Sequence, residues 1–433
     1  MDQTLLTGLV VLATTIILLG SGVWVSIALL AVGIITLGGF SPAPLGSLMA
    51  STLWDASWGW ALTSLPLFVW MGEILFRTNL SADMFRGLAP WLGRLPGGLL
   101  HVNILGCGVM AAVTGSSAVT CATIGRLSVP ELQKRGYPLN LTIGTLAGSG
   151  TLGLLIPPSI IMIVYGVTAE QSIAKLFIAG ILPAFVLILL YMLYTGLWAL
   201  LHKDKMPPRE DTVAFLQRVI AARSLIPVAL LIALVVGSIY GGFATPTEAA
   251  AFGVIGALAL AAWSGTLTWA TFGESVMASV RTSCMISMII ACAACLSISV
   301  AFLNLPAALA GWVQSFGLPP FALLAVLAVV VLALGCFLEG ISIIVLTSSV
   351  MLPMVQAAGI DMIWFGIFLV ILIEAAQITP PVGFNLFVLQ GITQKNILQI
   401  TGATVPYFLI MLVLLVIITL APEIVLALPN LMS

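Results

Sequence analysis

Charge is what this chain lacks most. Of 433 residues only 7% are Asp, Glu, Lys or Arg, where a soluble domain carries roughly 25%. So few charges cannot cover a water-facing surface, which excludes an ordinary soluble fold. The formal net charge is −1, so there is no basic field for nucleic acid and none is expected as a partner. Histidine is nearly absent, with only His101 and His202. No H-E-x-x-H, no nucleophile–base pair and no phosphate-binding P-loop is present. Those absences argue against an enzyme, and they leave an ion gradient or a separate ATPase as the energy source for any transport. A secretory signal is also missing, since Met1-Asp2-Gln3 has no basic region and no Ala-x-Ala site follows the first apolar run.

The six cysteines (107, 121, 284, 292, 295 and 336) all sit in apolar stretches. Cys292-Ala-Ala-Cys295 has the spacing of a redox or metal motif. With no other ligand nearby, two small thiols sharing a helix face in the membrane is the simpler reading.

What is present is apolar sequence: 61% of residues are hydrophobic and the mean hydropathy is +1.22. Twelve apolar segments are predicted, near 4–20, 22–38, 55–78, 96–134, 139–167, 174–200, 224–241, 245–264, 274–303, 319–357, 361–391 and 398–421. One long polar stretch, HKDKMPPREDTVAFLQRVIAAR at 202–223, divides them. It contains Lys203, Lys205, Arg209, Arg218 and Arg223, which places this amphipathic linker in the cytoplasm. Around it, 1–201 and 224–433 read as two units.

The two units repeat. At an offset of 223, Leu95-Pro96 meets Leu318-Pro319, Pro130 meets Pro353, Gly136 meets Gly359, and Pro157-Pro158 meets Pro380-Pro381. Segments 96–134 and 319–357 are long for one pass and awkward for two. Each has a polar or glycine-rich middle, Thr114-Gly-Ser-Ser117 and Glu339-Gly-Ile-Ser342, as a re-entrant hairpin would. Five true spans then remain in each half, and an odd number inverts the second half. Arg77, Arg86, Arg94, Lys134 and Arg135 flank the first hairpin, while the second has no Lys or Arg beside it. The first therefore opens to the cytoplasm and the second to the outside, with both termini outside.

Each half also carries a double proline inside a span, over 139–167 and 361–391. Adjacent prolines remove two amide donors and clash with the preceding turn, so the helix must break. Carbonyls around Gly153, Ile156 and Pro158, and around Ala376, Thr379 and Pro381, are freed into the gap. With hairpin-tip oxygens from Ser116, Ser117 and Gly340 they suit a hard monovalent cation. A plain kink is the alternative for either break taken alone; matched pairs favour a binding site. Glu339 and Glu374 lie at a depth where a bare carboxylate is costly, and either hold a cation or proton or are satisfied by helix ends. Glu73 and Arg77 are spaced as a helix ion pair, and Thr245 to Glu248 reads as an N-terminal capping pattern. His101 is expected near the mouth of the first hairpin. Trp54, Trp58, Trp60 and Trp70 form an early interfacial belt in contact with lipid.

A family resemblance rests on three stretches. TGSSAVTCATIGRLSVPELQKRGYPLNLTIGTLAGSGTLGLLIPPSIIMIVYG (114–166), GGFATPTEAAAFG (241–253) and ITPPVGFNLFVLQGI (378–392) resemble the large permease subunit of tripartite ATP-independent periplasmic (TRAP) transporters. The resemblance implies an all-α, sodium-driven elevator importer in the bacterial cytoplasmic (inner) membrane, with both hairpins moving together across a fixed scaffold. It implies a soluble periplasmic substrate-binding protein that delivers an organic acid, such as a C4-dicarboxylate or sialic acid. It also implies a small membrane subunit of about four helices, expected as a separate chain because Met1 opens almost directly on the first repeat. Carried over by position, one sodium site would use Ser116, Ser117, Gly153, Ile156 and Pro158. The other would use Gly340, Ala376, Thr379 and Val382, with alanine where relatives tend to have glycine. Substrate would lie near Ser117, Ser159, Ser342, Thr379 and Asn385. No cofactor besides the coupling ions is implied. The alternative function is an autonomous ion-coupled carboxylate carrier that needs no binding protein.

Overall fold

The computed structural model describes residues 3–208, 214–308, 311, 319–380 and 383–431. The readings at Arg209, Pro381 and Val382 lie outside the described residues. Among those described, regular structure is entirely helical, with no strand. Lipid dictates this, because a backbone without water must satisfy its own amides and carbonyls, and a helix does so within one segment.

In the first half, α1 (Gln3–Gly20) and α2 (Val25–Phe40) lead to α3 (Leu45–Ser57) and α4 (Ser64–Phe76), then α5 (Leu80–Leu92). Next come α6 (Leu100–Thr114), α7 (Ser117–Lys134), α8 (Leu139–Thr151), α9 (Ile160–Thr168), α10 (Ile173–Ala179) and α11 (Ile181–Leu201). After the linker helix α12 (Phe215–Ala222), the second half runs through α13 (Ile226–Tyr240), α14 (Pro246–Trp263) and the 34-residue α15 (Trp269–Phe302). It ends with α16 (Pro320–Gly335), α17 (Gly340–Ala357), α18 (Met362–Ala376), α19 (Phe384–Thr393), α20 (Ile397–Leu420) and α21 (Glu423–Asn430).

Helix boundaries keep the 223-residue offset. Ser117 and Gly340 open α7 and α17, Lys134 and Ala357 close them, and Leu139 and Met362 open α8 and α18. Each pair is 223 positions apart. Gly136 and Gly359, 223 apart and both at positive φ, follow the ends of α7 and α17 alike.

One correction concerns the third segment. The third segment, expected from 55, is a pair of helices, α3 and α4 with its 3₁₀ lead, bent by 52°. Six unbroken helices among the described residues are long and apolar enough to cross, or seven with the bent pair joined. Prolines and glycines divide the other segments into pieces of 10–17 residues, such as Leu100–Thr114 and Met362–Ala376. The second hairpin's arm Gly340–Ala357 is itself among the six.

Two packed groups emerge. In one, α2 and α4 lie against α15, and α4 against α14, so the halves interlock. Gly33 of α2 meets the Cys295–Leu296 backbone so closely that a Cβ there would lie 3.2 Å from the Cys295 carbonyl oxygen. Cys292 and Cys295 are both buried free thiols on α15. The other group centres on α8, which touches α6, α7 and α20, while α7 touches α19 and α18 touches α16 and α20. Gly144 and Gly148, four apart on α8, admit the Tyr407 ring and the Ala403 carbonyl of α20. This is the small-xxx-small spacing by which membrane helices approach closely. From Ile363 to Ala376, α18 is buried throughout, as a helix apolar on every side must be. By contrast α11 shows Phe185, Leu189, Leu193 and Leu197 outward and buries Leu187, Tyr191, Thr195 and Ala199. Lipid accepts one apolar face and the protein the other.

Arg77 pairs with Glu73 at 2.5 Å, and Thr245 and Glu248 form a reciprocal capping box on α14. His101 is buried with Nε2 2.6 Å from the Pro96 carbonyl, at the open end of the first hairpin. Trp54, Trp58 and Trp60 are exposed, but Trp70 departs from that belt, half-buried and donating to Ser275 Oγ at 3.2 Å.

Candidate cation and substrate site

The first break begins where α8 ends. A 3₁₀ turn, Leu152–Leu154, follows Thr151, and the chain then passes Pro157 and Pro158 before α9 restarts at Ile160. Ser159 caps that restart, accepting from the Met162 amide at 3.4 Å and donating to the Leu154 carbonyl. Against this opening sits the tip between α6 and α7. Gly115 adopts φ +60°, where L side chains are strained, and a Cβ there would lie 2.6 Å from the Pro158 carbonyl oxygen. A Cβ on Gly153 would lie 2.6 Å from the Ser116 carbonyl and 2.8 Å from the Ser117 amide nitrogen. Only glycine lets the unwound strand and the tip touch. Ser116, Ser117, Gly153 and Pro158 are thus brought into one contact, and Ile156 follows within the break, its side chain toward Gly108 of α6.

The second tip and break are built differently. Cys336 to Glu339 turn the chain from α16 into α17. Gly340 faces Ile373 and the Gln377 side-chain amide, so it abuts the end of α18. Gly335 faces Ala376, whose Cβ would be 2.2 Å from a Cβ on Gly335. The glycine that relieves this contact is on the hairpin, not on the break. The Ala376 carbonyl already accepts from the Thr379 amide at 3.1 Å and the Thr379 hydroxyl at 2.7 Å. Gly340, Ala376 and Thr379 therefore lie together around the end of α18, with Cys336 Sγ 4.0 Å from the Thr379 hydroxyl.

A hydrogen bond joins the halves. Asn385, in the first turn of α19, donates from Nδ2 to Ser117 Oγ at 2.5 Å, across 268 positions of sequence. Both residues are buried, and the Asn385 Oδ1 has no partner. Ser342 is buried beside the Glu339 carboxylate, its hydroxyl completing no bond of good geometry. Of the five residues expected at the substrate, Ser117 and Asn385 meet directly. Thr379 caps its own break, Ser342 hydrogen-bonds none of the others, and the Ser159 hydroxyl is taken up by the first break.

The donor set fits a small hard cation, since it offers hydroxyl and carbonyl oxygens without a thiolate or imidazole. Among the described residues no cluster of three His, Cys, Asp or Glu could hold a transition metal. One polar network escaped the sequence reading. Asn103 Nδ2 donates to Thr145 Oγ1 at 3.1 Å, and Ser149 Oγ approaches the Asn103 carbonyl at 3.5 Å, all buried behind the first break. Its signal was available in Thr145 and Ser149, four apart on α8.

Interrupted helices, their ends turned toward buried polar tips inside a multi-pass helical bundle, are the arrangement by which secondary transporters build their sites. The chain belongs to the DctM component family of the tripartite ATP-independent periplasmic transporters, whose description matches residues 10–424. It is similar to the C4-dicarboxylate TRAP transporter large permease protein DctM of Pseudomonas aeruginosa, at 34% identity over 92% of each chain. It is also similar to the isethionate TRAP transporter permease protein DctMQ of Oleidesulfovibrio alaskensis, at 30% identity over 94% of this chain and 64% of that one. The solved structure of the Alcanivorax borkumensis YdaH transporter shares the fold, with a TM-score of 0.67, 16% identity and coverage of 94% and 97%.

Proposed function

We propose that this chain is the membrane permease of a sodium-coupled secondary importer of small organic acids. A soluble periplasmic protein delivers the substrate, and a small four-helix membrane subunit braces the scaffold. The observation that carries the reading is the Asn385–Ser117 bond. It ties the tip of one half to the broken helix of the other, so a substrate there would touch both cation regions. Sodium at Ser116, Ser117, Gly153, Ile156 and Pro158 would neutralise a nearby carboxylate and hold the first tip against its break. Sodium at Gly340, Ala376, Thr379 and Val382 would act alike on the other side, once the Thr379 hydroxyl turns from the Ala376 carbonyl toward the ion.

The two packed groups support an elevator. The cluster of α2, α4, α14 and α15 makes the fixed frame, while both hairpins and both breaks ride together. The halves are inverted-topology repeats, 1–201 and 224–433, the termini are periplasmic and the linker is cytoplasmic in the inner membrane. The names of relatives, C4-dicarboxylate and isethionate, support a small organic anion as cargo; sialic acid fits the same chemistry.

The test is uptake into proteoliposomes holding this chain and the small subunit, with the loaded binding protein outside. An inward sodium gradient drives accumulation without ATP, and omitting either partner stops it. Sodium-driven uptake by the chain alone would replace this reading with that of an autonomous carrier.

A further inference from the structure

The linker helix α12 has no buried residue, yet it is clasped to the bundle. Its partner is α5, the helix that leads into the first hairpin. The Trp91 indole donates to the Arg218 carbonyl at 3.2 Å, and the Trp91 and Phe215 rings meet edge to face with centroids 6.2 Å apart. Further along, the Ser224 hydroxyl donates to the Asp83 carbonyl at 2.8 Å. Gly87 makes room for this, since a Cβ there would lie 2.7 Å from Ser224 Oγ. In turn α5 packs on α6 and α7, the two arms of the first hairpin.

The outer face of the clasp is apolar. Phe215 and Leu216 are 70% and 69% exposed. Leu216, Ile220, Arg223, Ile226, Leu230 and Leu234 recur three or four positions apart and are all exposed, so one stripe runs from α12 onto α13. The stretch Phe215–Tyr240 is long and apolar enough to cross the membrane. From Tyr240 back to Arg223 is about 26 Å at 1.5 Å per residue, close to the ~30 Å hydrocarbon core. Arg223 therefore stands at headgroup depth. The lipid that covers Leu230 and Leu234 continues past it onto Ile220, Leu216 and Phe215, side chains for which water is a poor neighbour.

Charge selects among lipids. In the described parts of α5, α12 and the turns that follow them, Arg86, Arg94, Arg218 and Arg223 stand against one acid, Asp83, which Arg86 already holds at 2.9 Å. Arg94 and Arg223 are exposed and make no ion pair with another described residue.

We propose that α5 and α12 form a binding surface for anionic phospholipid. Arg94 and Arg223 hold the headgroup, and Phe215, Leu216 and Ile220 lie among the upper acyl chains. With the linker in the cytoplasm, as in the reading above, this surface ties the base of the first hairpin to the inner leaflet.

The test places a small fluorophore on Ile220→Cys, in the full chain freed of native cysteines. The protein is reconstituted in phosphatidylcholine vesicles with a minor share of phosphatidylglycerol, and the acyl chains of one lipid or the other are brominated. Quenching then reports which lipid sits against position 220. At equal mole fraction, brominated phosphatidylglycerol quenches about fivefold more effectively, while a label on Leu193→Cys, on the lipid face of α11, shows no preference. Arg94→Gln combined with Arg223→Gln removes the preference at position 220, and Arg223→Lys keeps it. Should the double variant fail to fold, Arg223→Gln alone lowers the preference. Equal quenching by the two lipids overturns the proposal, as does a preference that survives the loss of these arginines. Quenching by neither lipid puts water or protein over the stripe and overturns it too. Both leaflets have one composition, so failure here leaves the topology and the sodium-coupled reading untouched.

Discussion

The two breaks occupy equivalent positions, yet they reach closeness by different means. In the first half glycine stands on both sides, Gly153 in the break and Gly115 in the tip, and the tip carries the hydroxyls Ser116 and Ser117. In the second half the break carries Ala376 and the hydroxyl Thr379, and the hairpin supplies Gly335 and Gly340. At the turn before each break Thr151 is self-satisfied, its hydroxyl on the Gly148 carbonyl at 2.7 Å, while its counterpart is the buried acid Glu374, whose oxygens complete no hydrogen bond of good geometry. A common backbone plan has therefore been given two chemistries. Two copies of one substrate site would keep the side chains and vary the frame; here the frame is kept and the side chains vary.

That comparison is broken most severely at Gly153. Gly153→Ala drives a Cβ into the Ser116 carbonyl and separates tip from break, destabilising the fold by about 1–3 kcal/mol and abolishing sodium-driven uptake. Thermal unfolding and transport assays read the two effects. Wild-type uptake in that variant would show that the contact is not needed. Next in size is Asn385→Ala, which leaves Ser117 unpaired and removes the only side-chain hydrogen bond between tip and opposite break among the described residues. A buried bond of this kind is worth about 1–3 kcal/mol, so uptake falls roughly tenfold to a hundredfold, with sodium affinity changed less than substrate affinity. Equal losses of both would merge sites that are held here to be separate.

Smaller effects sharpen the contrast. Thr379→Val removes the hydroxyl that caps Ala376 and raises the sodium requirement about three- to tenfold without altering the first region. A flux assay against sodium concentration measures this. The smallest effect belongs to Ala376→Gly. It restores on the second break the residue type of the first, costs about 0.5–1 kcal/mol in backbone entropy, and leaves the sodium midpoint in place. A large shift there would mean that the Ala376 side chain shapes the site, not only its carbonyl.

Much of the frame was legible because it is written in local signals. Pro157-Pro158 and Gly115 interrupt helices through their own covalent geometry, so breaks and tips follow without knowledge of neighbours. Glu73–Arg77 and Thr245–Glu248 lie within one helical turn and need only the helix to form. What could not be read lies far apart in the chain. Nothing near Ser117 announces Asn385, because tertiary packing alone joins them. Ser159 shows the converse. Its position marked it as a substrate contact, but a local demand, capping α9, takes up its hydroxyl first.

The central claim is that one half is the inverted counterpart of the other. Gln133 and Gln356 test it most directly, being 223 positions apart and exposed near the open ends of the two hairpins. In a background freed of native cysteines, Gln133→Cys and Gln356→Cys are labelled with a membrane-impermeant maleimide in oriented vesicles. The account predicts labelling of Gln133→Cys from the cytoplasmic side only and of Gln356→Cys from the periplasmic side only. Labelling of both from the same side would contradict it.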